Sequence, residues 1–106
     1  MQPLDQKEVK TMTKYEIMYI IRPTLSEENR KQLIEDIEAV FTSRDSEVLK
    51  RDEWGMRELA YEIEKHTKGY YVVFEVNSTQ DARTEFERVI GLKEDVIRHL
   101  VIKDVR

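Results

Sequence analysis

Two segments of helical periodicity, each set between strand-like segments, constrain this chain more than any other feature. Leu33, Ile34, Ile37, Val40 and Phe41 recur at the spacing of one helix face, which predicts a helix over about 26–42. Ala82, Phe86, Val89 and Ile90 repeat that pattern later. Residues 15–22 are rich in branched and aromatic side chains on both faces, as in a central strand. Residues 48–63 read as a long irregular strand, with broken alternation around Trp54-Gly55 that predicts a bulge. A polar turn over 64–68, containing His66, leads into strands over 70–76 and then, past the second helix, 96–103.

Local chemistry sets the expected boundaries. Pro23 ends the first strand, Thr24 and Ser26 compete to cap the first helix, and Glu27 and Glu28 suit its positive end. Ser78 with Asp81 resembles a capping box for the second helix, and Gly91 reads as its stop. Residues 1–13 show no firm periodicity and are expected to be a flexible extension, with one domain over 14–106. The order β-α-β-β-α-β, with right-handed crossovers and a shared core, predicts an α+β, ferredoxin-like fold. In it, a four-stranded antiparallel sheet carries both helices on one face. Ile17, Tyr19, Ile21, Val72, Phe74 and Val76 should lie under the helices. Glu16, Met18, Ile20, Tyr71, Val73 and Glu75 then share an open face suited to a partner protein or stacked bases.

Composition narrows the function. No cysteine means no disulfide framework and no thiolate metal site, and no apolar run approaches the length of a membrane span. His66 and His99 have no ligand spacing, the serines lack a base and an orienting acid, and no phosphate-binding glycine motif occurs. The chain is therefore read as non-catalytic, with no metal and no cofactor. Eighteen basic against 22 acidic residues give a net charge of −4, which argues against a protein wrapped in nucleic acid. Basic residues nevertheless stand at the expected edges: Lys14, Arg57, Lys65, Lys68, Arg98, Lys103 and Arg106.

The run Gly55-Met-Arg57-Glu-Leu59-Ala60-Tyr61, with Ile63, Lys65 and Gly69-Tyr70, resembles the signature region of the bacterial small-subunit ribosomal protein number six family. So do Tyr15-Glu16-Ile17 with Arg22-Pro23, and Asp95-Val96-Ile97-Arg98; the similarity spans about 14–103. The resemblance implies a cytoplasmic, structural protein of the small ribosomal subunit. It further implies binding to central-domain ribosomal RNA together with small-subunit protein number eighteen, a basic partner that would account for the acidic balance. Carried onto this sequence, it implies RNA contact by Arg57 and Arg98. Lys14, Lys65, Lys68 and Lys103 are added on electrostatic grounds, and Met18, Ile20, Tyr61, Tyr71 and Val73 form the expected partner interface. The chain departs from the family pattern at Met56 and Glu62, where members often carry a basic residue and a proline. The competing reading is a ligand-binding or dimerising regulatory domain on the same fold.

Overall fold

The computed structural model describes residues 12–103, so the expected N-terminal extension up to residue 11, and Arg106, lie outside the described residues. The elements run β1 (Thr13–Ile21), α1 (Glu27–Thr42), β2 (Glu47–Ile63), β3 (His66–Ser78), α2 (Gln80–Leu92) and β4 (Val96–Lys103). They form one antiparallel sheet of order β2-β3-β1-β4, with β1 paired to β3 on one side and β4 on the other. The predicted ferredoxin-like architecture is the one observed. Among the described residues no helix is long and apolar enough to cross a membrane.

Alternation along the strands builds the core as expected. Ile17, Tyr19, Ile21, Val72, Phe74 and Val76 are all fully buried, and meet Leu33, Ile34, Ile37 and Phe41 of α1 and Ala82, Phe86 and Ile90 of α2. Within this layer Tyr19 and Phe74 pack edge to face at 5.5 Å, an arrangement that suits aromatic quadrupoles.

The helix boundaries resolve one ambiguity and correct two expectations. Ser26 caps α1, its hydroxyl accepting from the Asn29 amide at 3.2 Å. The competing Thr24 hydroxyl instead accepts from the Arg22 guanidinium, whose Nε donates to Asp95 at 2.6 Å. The cap of α2 is Thr79, not Ser78: Thr79 Oγ1 accepts from the Ala82 amide at 3.1 Å. Ser78 pairs with Thr13 as the last residue of β3, so it is already committed to the sheet. Gly91 does not stop α2 either; it lies within the helix, and Lys93 is the C-cap. The turn between β2 and β3 is also tighter than expected, because His66 begins β3 and pairs with Ile63.

Candidate RNA and partner interface

The β2–β3 hairpin shapes one end of the molecule. Glu64 and Lys65 both have positive φ, 48° and 70°, the geometry of a two-residue hairpin turn that matches strand twist. Between the pairs Glu58↔Lys68 and Ile63↔His66, β2 advances five residues while β3 advances two. The extra residues leave the ladder as a bulge within the Leu59-Ala60-Tyr61-Glu62 run. Tyr61 reaches the far edge strand, where Arg98 Nη1 donates to its hydroxyl and the guanidinium carbon lies 5.4 Å from the ring centre. A Cβ at Gly69 would collide with Ile20 Cγ2 and would touch Leu59, so the glycine lets these side chains close over the end of the sheet.

A second irregularity places Trp54. The β2–β3 register shifts between Glu53 and Gly55, and Gly55 takes φ 90°, as the sequence predicts for a bulge. Trp54 then stacks on Tyr71 of the open face, with ring centres 6.2 Å apart and planes 12° from parallel. The Arg57 guanidinium carbon lies 5.0 Å from the Trp54 ring centre, a cation–π contact that orients the side chain while leaving it exposed.

The strand order divides the basic residues expected to meet RNA. Arg57, Lys65, Lys68 and Arg98 gather at the hairpin end: Arg57 pairs with Gly69, Lys68 with Glu58, and Arg98 with Ile20 near the end of β1. Lys14 and Lys103 stand at the other end of the sheet, beside Asn77 and Tyr15. Eight residue steps along β1 separate the ends, roughly 26 Å at strand rise. Lys14 belongs to the open face, and Lys103, paired with Tyr15, to the helix face. The structure therefore brings four of the six together and leaves two apart.

The expected partner residues also divide. Ile20 and Val73 are 3% and 9% exposed, so they form the floor of the open face rather than its contact surface. Met18 and Tyr71 are half-buried and Tyr61 is well exposed. The apolar surface actually offered comes from Trp54, Leu100 and Ile102, each close to half exposed. Leu100 pairs with Met18 and Ile102 with Glu16. Alternation in β4 could have identified both, since Ile97 and Val101 take the helix side. Trp54 was harder to place because a bulge defeats alternation.

Around this surface lies a cavity of about 110 Å³ lined by Glu16, Met18, Trp54, Val73, Leu100 and Ile102. A second cleft, of about 190 Å³, opens on the helix side between α1 and β2–β3. Its charges are largely engaged with one another: Tyr70 donates to Glu53 at 2.7 Å, Arg30 lies 3.9 Å over the Tyr70 ring, and Arg51 meets Glu38 at 2.9 Å. No cluster among the described residues could hold a metal ion. His99 packs edge-on against Phe86 at 6.3 Å, a structural contact on the helix side.

The sequence profile of ribosomal protein S6 matches residues 14–103. The fold is similar to the crystal structure of the 30S ribosomal protein S6 from Thermotoga maritima, with 29% sequence identity and a TM-score of 0.84. That similarity covers 89% of this chain and 89% of the other.

Proposed function

Because the chain belongs to the ribosomal protein S6 family and is thus a structural protein of the small ribosomal subunit, we propose that it binds central-domain small-subunit ribosomal RNA cooperatively with small-subunit protein number eighteen. One observation carries the reading: charge differs along the open face of the sheet, between its hairpin end and its middle. The hairpin end gathers Arg57, Lys65, Lys68 and Arg98, with Glu58, Glu62 and Glu64 interspersed, whereas the middle of the open face sets Glu16 and Glu75 side by side next to an apolar centre. A phosphate backbone is attracted to the first and repelled by the second; a basic protein has the reverse preference. The overall negative charge then favours the protein partner without excluding RNA.

In this reading Arg57 and Arg98 position phosphates, each held by an aromatic ring, while Lys65 and Lys68 add field at the hairpin. Lys14 and Lys103 contribute little to the same contact. Met18, Tyr71 and Tyr61 meet the partner, and Ile20 and Val73 support them from beneath. The protein acts without turnover or cofactor, within cytoplasmic small subunits, as a single domain from residue 14 onward.

The test measures binding to a central-domain RNA fragment with and without protein number eighteen, over a salt series. Affinity should rise with the partner and fall with salt. Arg57→Ala should weaken binding about tenfold, the scale of one charged interaction. Partner-independent binding would overturn the cooperative reading. An unchanged Arg57→Ala affinity would remove Arg57 from the RNA-binding surface.

A further inference from the structure

The open-face cavity identifies a more specific recognition event, one that rests on the proposed docking of a basic partner. We propose that this cavity receives a single lysine or arginine side chain of the partner protein. Its aliphatic stem lies against Met18, Trp54 and Leu100, and its cationic head meets Glu16 and Glu75.

Size is the first argument. About 110 Å³ accommodates one long side chain and is well below the several hundred Å³ typical of cofactor and small-molecule sites. Chemistry is the second. Five of the six lining residues are apolar or aromatic and the sixth is a carboxylate, the combination that suits a side chain with an apolar stem and a charged tip.

Electrostatics supplies the third. Glu16 and Glu75 are direct cross-strand partners, an arrangement of like charges that disfavours the sheet. Neither has a hydrogen-bond or ion-pair partner among the described residues. Two lysines stand nearby on the same face without neutralising them. Lys50, paired across from Glu75, directs its ammonium to Asp52 at 3.5 Å, and Lys14 lies beside Asn77. A cation entering between the two carboxylates would gain both attractions and relieve their mutual repulsion. The same carboxylates disfavour an RNA phosphate, and a second copy of this face would bring two more like charges.

Trp54 is the only tryptophan in the chain, so its emission reports directly on the cavity. The experiment titrates the full chain with small-subunit protein number eighteen and follows that emission, after subtraction of the partner's own signal. It is repeated with a Glu16→Gln/Glu75→Gln double variant and with Glu16→Lys. Wild-type binding should change Trp54 emission saturably. The double variant should bind about tenfold more weakly, and Glu16→Lys weaker still, the scale of a partly desolvated charge pair. Circular dichroism and a thermal melt confirm that each variant remains folded. Partner binding with unchanged emission, or variant affinities within twofold of wild type, would overturn the cavity assignment and leave the ribosomal reading intact. Failure of the wild-type chain to bind the partner would overturn both. Saturable quenching by RNA alone, or dimerisation at this face in sedimentation, would assign the cavity to a different occupant and overturn the proposal.

Discussion

Three glycines show how one missing methyl group carries opposite meanings at different places. At Gly69 a Cβ would strike Ile20, which is buried and cannot swing away, so Gly69→Ala should destabilise the fold by about 1–3 kcal/mol through overpacking. At Gly91 nothing lies within reach and the residue sits in an exposed part of α2, so Gly91→Ala should stabilise by about 0.5–1 kcal/mol. Chemical denaturation of both variants beside wild type checks the predicted difference in sign. Gly55 has open space around it, yet its φ of 90° makes any side chain there strained. The buried Tyr19 hydroxyl has no hydrogen-bond partner, so Tyr19→Phe should raise stability by about 1 kcal/mol. Burial, opposed by Arg51 and reinforced by Glu53 and Glu38, pushes the Tyr19 hydroxyl above its ordinary value. The folded state thus holds its proton more tightly, and the associated stabilisation is complete below the ordinary tyrosine value of about 10 and lost as pH rises beyond it. A pH series of unfolding midpoints should show a shallower alkaline fall for Tyr19→Phe.

Among the elements, the start of α2 is joined to the end of α1 through one small polar cluster. The Thr79 amide donates to Ser46 Oγ at 3.0 Å, the Ser46 amide donates to the Phe41 carbonyl at 3.1 Å, and Arg44 reaches Asp81 at 3.2 Å. Because the Thr79 amide is buried, Ser46→Ala should cost about 1–3 kcal/mol by leaving that donor unpaired. Thr79→Ala should cost about 1 kcal/mol through removal of a helix cap, and thermal melts of the two variants measure both. This junction marks the limit of what is legible in the sequence. The helices, the strands and the buried sheet face follow from periodicity, which burial enforces over many residues at once. The Ser78–Thr79 choice depends on where β3 stops pairing with β1, a long-range register absent from local sequence. The same holds for the hairpin: Gly55 announces one bulge, but nothing between Leu59 and Glu62 announces the second.

At the scale of the molecule, the residue types expected to meet RNA are legible in the sequence. Their grouping is not, because only strand order decides which lysines share an end. This separation predicts distinct salt dependences. In the presence of the partner, Arg57→Ala and Lys65→Ala should each reduce the slope of log affinity against log salt by about 1, as when one phosphate fewer is neutralised. Lys14→Ala and Lys103→Ala should leave the slope unchanged, as measured by fluorescence anisotropy on labelled RNA. Likewise, alternation alone assigns residues to the open face. It does not separate the floor of that face from its exposed side chains, since the bulges decide which are covered. The strand order β2-β3-β1-β4 has a further consequence for how the protein comes into being. Synthesis proceeds from the first strand to the last, yet β1 sits between β3 and β4. While the chain is still being made, β1 must wait for β3 to give it one neighbour and for β4 to give it the other. Until then the backbone donors and acceptors along one side of β1 have no partner strand, which leaves the nascent sheet open to pairing with foreign chains. Of the four described strands, the last to leave the ribosome is the one that closes off the first.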